Sequence, residues 1–113
     1  MTKNEREALA RCSGIDKPVW FKHKDKPGRE QWGTVEDEVS IIVNEYKHLI
    51  QRIRLSPESW GTNRYAYRTA YYTLTAKTRK PVWGQYHALL LEADYRRLLR
   101  KADKKGWLGL LGA

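Results

Sequence analysis

A segment of the chain, residues 59–91, combines positive charge with aromatic side chains and contains no aspartate or glutamate. Arginine and lysine neutralise phosphates and release their counterions, and tyrosine and tryptophan on an exposed sheet face stack on bases. Proteins that read RNA on a sheet surface use this combination. The pattern predicts a nucleic-acid-binding module, for DNA or RNA, that uses a basic, aromatic sheet face. The residues expected to contact nucleic acid are Arg52, Arg54, Trp60, Arg64, Tyr65, Tyr67, Arg68, Lys77, Arg79 and Lys80.

The same residues allow two other interpretations. Aromatic side chains on one face of a strand can form the core beneath a helix, which leaves the basic residues as an ordinary solvated face. The loop around Trp60 and the charged faces also fit a protein-interaction or accessory subunit that binds an acidic partner or forms a homodimer. At the level of sequence both alternatives stay open.

A third hypothesis, a metal-dependent nuclease, starts from the acidic residues 36–38. Asp37, followed by Glu45 and Lys47, resembles the Asp…Glu-x-Lys pattern of a large family of metal-dependent nucleases, and the resemblance implies that these three residues would be catalytic. The family's pattern spans two paired strands. Between Glu38 and Asn44 we find no turn chemistry that would fold two such strands together, so this hypothesis ranks third.

Metal and cofactor sites are not predicted elsewhere. His23, His48 and His87 are widely spaced, and Cys12 is the single cysteine, so no ligand pair has the spacing of a metal site. The sequence also lacks a Gly-rich phosphate loop, a Gly-x-Ser-x-Gly motif and a His-Glu-x-x-His motif. We therefore expect a binding protein rather than an enzyme, with no cofactor and no metal.

Composition favours an anionic partner and limits the location. The 22 lysines and arginines against 13 aspartates and glutamates give a net charge of +9 at pH 7, and a protein this basic attracts polyanions. A single cysteine excludes an intrachain disulfide and fits a reducing compartment. The first residues lack the apolar region of a signal peptide, and the apolar runs 41–43 and 88–91 are too short to span a bilayer. We expect a cytoplasmic protein that does not enter a membrane.

The elements that must position these residues begin with a short helix within residues 1–14. Thr2 and Glu5 have the spacing of a capping box, in which each side chain accepts a hydrogen bond from the other residue's backbone. Gly14 is expected to end the helix, because glycine adopts the left-handed conformation of a helix cap at little cost.

A hairpin is predicted next. Residues 18–23 are typical of a strand that begins with proline, where no ladder donor is lost. The Pro-Gly chemistry of residues 24–29 predicts a turn, so this strand should pair with the segment from Trp32 onward. Gly33 in the second strand would allow the sheet to curl toward a small barrel.

Residues 34–55 fit two structures. As one helix they would present a single apolar stripe, with Thr34 and Asp37 at its start. As strands they place four β-branched residues on one face, namely Val35, Val39, Ile41 and Val43. Branching at Cβ costs side-chain freedom in a helix and suits a sheet. We predict two strands with a bend near Asn44, and the single helix remains the alternative.

The second half of the sheet is predicted from its Tyr and Thr content. Residues 56–63 have the composition of a loop. Residues 64–75 are typical of a strand, and a basic turn at residues 77–81 would return the chain as a partner strand over residues 82–91.

The chain is expected to finish with a helix over residues 92–106. Gly106 would cap it, Trp107 would fold back onto it, and residues 107–113 form an apolar tail. One face of this helix is apolar, and it comprises Leu91, Tyr95, Leu98, Leu99 and Ala102.

These elements predict a single α+β domain over residues 1–113. An antiparallel sheet of about five strands would occupy residues 18–91, with the short N-terminal helix before it. The C-terminal helix would pack on one face of the sheet.

Overall fold

Five antiparallel strands form one sheet with the order β1-β2-β3-β4-β5. The computed structural model describes residues 1–21, 28, 30–84 and 89–107. Within them the elements are α1 Lys3–Arg11, β1 Pro18–Phe21, β2 Glu30–Val43, β3 Tyr46–Leu55, α2 Pro57–Trp60, β4 Tyr65–Leu74, β5 Pro81–Gly84 and α3 Glu92–Lys104. The predicted α+β class with a five-stranded antiparallel sheet and helices at both ends is confirmed. Among the described residues, no helix is long and apolar enough to cross a membrane.

The residues group into two compact units. Unit 1 contains Met1–Ser13, Val39–Ile50 and Thr69–Ala113, and unit 2 contains Gly14–Glu38 and Gln51–Arg68. The three long strands β2, β3 and β4 each contribute residues to both units.

The predicted capping box starts α1. The Thr2 side chain accepts a hydrogen bond from the Glu5 backbone N–H, and the Glu5 carboxylate accepts one from the Thr2 backbone N–H. The end of the helix is not at Gly14, as predicted, because Cys12 is the C-cap with extended backbone. The Lys47 ammonium donates to the carbonyls of Ala10 at 2.7 Å and Cys12 at 2.5 Å. With acceptors at the helix end already bonded, no left-handed glycine is needed there.

Residues 34–55 form the two strands that the β-branched residues favoured, so the single-helix alternative is wrong. The chain reverses at Asn44, whose φ of 55° lies in the left-handed region that asparagine tolerates. Three of the four β-branched residues predicted to share a face of β2 are buried, namely Val35, Val39 and Ile41. The first hairpin is also confirmed, because β1 pairs antiparallel with β2.

Two other boundaries differ from the prediction. The segment 56–63 is not only loop, because Pro57–Trp60 forms a single helical turn with proline at its start, where the missing N–H costs nothing. Of the strand predicted over 82–91, the structure shows β5 as Pro81–Gly84, and residues 89–91 are not in a strand, while residues 85–88 lie outside the described residues. Leu91 is instead the N-cap of α3. The predicted turn at residues 24–29 lies outside the described residues except for Gly28, and so does the tail 108–113.

The core of unit 1 lies between α1 and the sheet. Leu9 and Leu49 are fully buried and pack with Ala70 and Tyr72. Burial of side chains of this size stabilises the folded state by roughly 1.5–3 kcal/mol each.

The C-terminal helix of unit 1 buries only part of its predicted apolar face. Leu98 and Ala102 are buried, whereas Leu91 and Tyr95 at the start of the helix are exposed. Gly106 has the predicted left-handed backbone, and Trp107 is buried. The predicted end of the helix is therefore confirmed.

The core of unit 2 consists of aliphatic residues from four neighbouring strands. Val19, Val35 and Ile53 form a buried cluster, against which Leu55 and Ala66 pack. Gly33 is also buried, because β2 passes so close to β3 that a Cβ at this position would press against the Arg54 carbonyl oxygen.

One arginine joins three segments of unit 1. The Arg79 guanidinium lies 2.8 Å from the Glu5 carboxylate on α1 and 2.5 Å from the Glu45 carboxylate in the β2–β3 turn. The Thr2 backbone hydrogen bond and the Arg79 guanidinium lower the pKa of Glu5 from 4.5 to about 2, and Arg79 also lowers the pKa of Glu45. Arg79 thus connects the β4–β5 turn, in which it lies, to α1 and to the β2–β3 turn.

The first prediction concerns acid stability. Because both carboxylates have folded-state pKa values below the ordinary 4.5, their stabilising contribution is complete above about pH 4.5 and is lost as the pH falls toward 2. In Arg79→Met, Glu45 loses its main partner, so the variant should be less stable at pH 7 and should lose less further stability on acidification. Urea unfolding at pH 7 and pH 3 measures both effects. Lys77→Met in the same turn is the control, and identical pH dependence in the two variants would contradict the prediction.

The second prediction concerns Gly33. Gly33→Ala should destabilise the protein by about 1–3 kcal/mol, because the obstacle to its Cβ is the backbone of β3. Gly84→Ala is the matched comparison, because its Cβ would meet the outer end of the Tyr71 ring, a side chain that can rotate away. Urea unfolding should show the larger loss for Gly33→Ala. An equal or smaller loss would mean that β2 and β3 separate easily at this point.

Candidate nucleic-acid interface

Most of the predicted nucleic-acid contacts lie in unit 2. The unit contains seven of the ten, namely Arg52, Arg54, Trp60, Arg64, Tyr65, Tyr67 and Arg68. The other three, Lys77, Arg79 and Lys80, belong to unit 1. The unit-2 residues are contributed by β3, the single turn α2, and the start of β4 together with Arg64 just before it.

Four of the unit-2 residues share one face of the sheet. The Arg52 guanidinium lies over the Tyr65 ring, 4.0 Å from its centroid, which places these side chains of neighbouring strands on the same side. Side chains alternate along a strand, so Arg54 lies on the same side as Arg52, and Tyr67 on the same side as Tyr65. We call these four residues the arginine–tyrosine face.

The opposite side of the same strands is the core of unit 2. Ile53 and Leu55 of β3 and Ala66 of β4 alternate with the residues of the arginine–tyrosine face and pack into the aliphatic cluster. The sheet in unit 2 therefore has one apolar side and one side with cationic and aromatic groups.

The two arginines of the face differ in their environment. Arg52 lies 3.4 Å from the Glu36 carboxylate, and its side chain is only 17% exposed. The Glu36 carboxylate partly compensates its charge. Its planar guanidinium is held against the Tyr65 ring, and a cation–π contact of this kind stabilises by about 0.5–1 kcal/mol at an exposed site and by more when desolvated. Arg54 is exposed to solvent. Arg52 is therefore placed to position the Tyr65 ring, and Arg54 to meet an anion.

Unit 2 also contains a pair of tryptophans in contact, Trp32 and Trp60. The Trp60 ring of α2 packs edge-to-face on Trp32 of β2, with centroids 5.3 Å apart, and remains 40% exposed. The Ser56 N–H donates to the Trp32 carbonyl at 2.7 Å, which connects the start of α2 to β2. Arg64 is exposed, and its carbonyl accepts from the Leu55 N–H. Sequence reasoning selected Trp60 but missed Trp32, because the contact joins residues far apart in the chain.

Arg68 is placed differently from the prediction of one shared face. Its Nε and Nη2 atoms donate to the Gln51 side-chain oxygen at 3.1 and 2.7 Å. Gln51 is fully buried, and its amide nitrogen donates to the Glu38 carboxylate, which also accepts from the Gly14 N–H. Arg68 thus belongs to a polar network on the core side of the strand, where it satisfies a buried amide.

The three unit-1 residues are also unequal. Arg79 is engaged by Glu5 and Glu45, so its charge already has two carboxylate partners. Lys77 and Lys80 in the same turn are exposed. Of this group, only the two lysines extend into solvent.

The residues of the nuclease pattern are occupied by other contacts. Asp37 accepts from the Glu38 N–H, Glu45 is paired with Arg79, and the Lys47 ammonium is buried against the end of α1. Over the part of the chain that the structure describes, no three His, Cys, Asp or Glu residues are grouped to hold a metal ion. The chain does reverse at Asn44 between the paired strands β2 and β3, so the expected lack of a turn there is wrong. The contacts of the three residues nevertheless leave the nuclease hypothesis without support.

His48 is the histidine whose surroundings the structure describes. Its ring is buried and stacks on Tyr46 with centroids 5.7 Å apart. Burial lowers its pKa, since the charged form loses its hydration, and the Asp94 carboxylate opposes that effect in part. The ring is therefore neutral near pH 7 and adds no positive charge.

Comparison with known proteins gave no match. No model of a protein family matches the chain, and neither a curated protein nor a solved structure is significantly similar to it. The function is therefore argued from the arrangement of the residues themselves.

The third prediction separates structural from exposed arginines. Arg68→Met should destabilise the protein by about 1–3 kcal/mol, because the buried Gln51 oxygen loses both donors. Arg64→Met removes an exposed charge and should change the free energy of unfolding by less than about 0.5 kcal/mol. Urea unfolding of the two variants at pH 7 tests the difference. Equal stability of both would show that the Arg68–Gln51 contact contributes nothing to folding.

Proposed function

We propose that this protein is a small non-enzymatic module that binds single-stranded nucleic acid on the arginine–tyrosine face. The observation that supports it best is the Arg52 guanidinium held over the Tyr65 ring, with exposed Arg54 on the same side and the aliphatic core on the other. A sheet with one apolar side and one cationic, aromatic side is the arrangement used to stack bases and contact phosphates together.

The chemistry of the face favours an unpaired strand. Stacking on Tyr65 or Tyr67 requires a base whose ring is exposed, which a single strand offers and a duplex does not. Because Arg52 holds Tyr65 in place, less side-chain freedom is lost when a base stacks there. Arg54 is placed to neutralise a phosphate of the same strand.

Further contacts are proposed from the exposed residues of the original prediction. In unit 2, Trp60 offers a further exposed ring and Arg64 a second exposed cation. Lys77 and Lys80 of unit 1 contribute charge. The net charge of +9 supports fast, salt-dependent association with a polyanion. Arg68 and Arg79 are assigned to folding instead, since their guanidinium groups bond within the protein.

A cytoplasmic location belongs to the same proposal. Cys12 is the single cysteine and is unpaired. A free thiol suits a reducing compartment, where nucleic acid is also available.

The fourth prediction tests this function with a charge-matched pair of variants. Arg54→Glu should weaken the binding of a labelled single-stranded oligonucleotide at least tenfold at physiological salt. Arg100→Glu, an equal change of charge at an exposed position of α3, should weaken it about threefold or less. Tyr65→Leu should cost about 1–3 kcal/mol, which corresponds to roughly 5- to 150-fold. Fluorescence anisotropy across a salt series measures all three.

The design separates a specific face from general charge. Equal weakening by Arg54→Glu and Arg100→Glu, or wild-type binding that disappears with modest salt, would mean that the charge of the whole protein is responsible. Equal affinity for single strands and duplexes would contradict the stacking role of Tyr65. Thermal unfolding of each variant confirms that the loss is one of binding.

A further inference from the structure

Among the described residues, those that line a cleft in unit 1 include three cationic side chains and no acidic one. The cleft lies between α1, the end of β2, the start of β3 and α3, and has a volume of about 250 Å³. Its lining consists of Arg6, Ala10, Ser40, Ile41, Ile42, Lys47 and Lys101. Like charges so close together repel one another unless anions are near.

The cation at the inner side of the cleft, Lys47, is buried. Its residue is only 6% exposed, and its ammonium donates to the carbonyls of Ala10 and Cys12. An ammonium group has three donors, and these bonds use two of them. Two neutral carbonyls do not cancel a positive charge, so the residue that lines this part of the cleft carries a cationic group with little hydration.

The other two cations approach from the helices. Lys101 of α3 donates to the Ser40 carbonyl at 2.7 Å, which fixes its ammonium at the edge of β2 and leaves two donors for other acceptors. Arg6 of α1 is exposed, and its guanidinium offers a planar set of donors. The carbonyls of Ala10 and Ser40, which would otherwise repel an anion, are both bonded to lysine.

The size and donors of the cleft define the ligand. A volume of about 250 Å³ is below the range of roughly 300–1,000 Å³ typical of sites for drug-sized molecules, so one compact group fits best. Two ammonium groups and a guanidinium supply donors from three directions to a multiply charged anion. Phosphate, with several acceptor oxygens and up to two negative charges near pH 7, matches that set.

We propose that this cleft is a binding site for one phosphate group, held by Arg6, Lys47 and Lys101. It is separate from the arginine–tyrosine face and does not rest on the function proposed for that face. The group can come from free phosphate, from a small phosphate ester, or from the terminal phosphate of an oligonucleotide.

The experiment is calorimetric titration of the full chain with inorganic phosphate, at constant ionic strength in chloride buffer. Wild-type protein should bind one phosphate with a saturable isotherm. The double variant Arg6→Gln/Lys101→Gln should bind at least tenfold more weakly. Lys3→Gln/Lys104→Gln removes the same charge from exposed positions of the same two helices outside the cleft, and its affinity should stay within about twofold of wild type.

Further titrants identify the source of the phosphate. A nucleoside monophosphate and an oligonucleotide with or without a 5′-phosphate are each competed against inorganic phosphate. Competition by the monophosphate alone would assign a small ester, and competition that depends on the 5′-phosphate would assign a strand end. Displacement by inorganic phosphate only would assign the free ion.

Two results would overturn the proposal. One is the absence of saturable phosphate binding by the wild-type protein, and the other is an equal loss in the two double variants. Thermal unfolding without phosphate checks that both variants are folded. Because Arg54→Glu alters only the arginine–tyrosine face, it should leave phosphate affinity unchanged, so the failure of either proposal can be recognised separately.

Discussion

The burial of the Lys47 ammonium is the constraint on which the arrangement of unit 1 rests. A charge removed from water costs free energy unless its donors are bonded, and the carbonyls of Ala10 and Cys12 provide the acceptors. Those carbonyls belong to the end of α1, where helix geometry leaves acceptors open and the dipole is negative. The ammonium and the carbonyls of the helix end therefore complete each other's hydrogen bonds. Next to them, Leu9 of the helix packs against Leu49. A helix of nine residues would be unstable alone in water, so this contact and the core beside it determine where α1 lies.

A feature could be predicted from the sequence when the residues that form it are close together in the chain. The capping box of Thr2 and Glu5 and the reversal at Asn44 involve neighbouring residues, and both were predicted. The end of α1 was not, because the group that satisfies it, Lys47, lies 35 residues beyond Cys12. For the same reason the Arg79–Glu5 contact, between residues 74 positions apart, has no local signature.

The candidate site shows a second limit of sequence reasoning. Alternation along a strand tells which residues share a face, but it does not tell which face the core covers. Tyr67 and Arg68 are adjacent and equally attractive as nucleic-acid contacts, yet the chain directs them to opposite sides. The presence of an internal partner then separates the arginines: Arg68 and Arg79 are bonded to protein groups, whereas Arg54 extends into solvent.

The division of the chain between the two units bears on the order in which it folds during synthesis. Every residue of unit 2 lies between positions 14 and 68, whereas unit 1 joins residues 1–13 and 39–50 to a segment that starts at residue 69. On the ribosome the chain emerges from its N-terminus, so α1 can meet Lys47 and Leu49 before its remaining partners, Ala70, Tyr72 and Arg79, are available. Contacts this distant in sequence slow folding. Until the later contacts close, the core around Leu9 and Leu49 is incomplete, and a chaperone or a neighbouring nascent chain would meet its apolar side chains there.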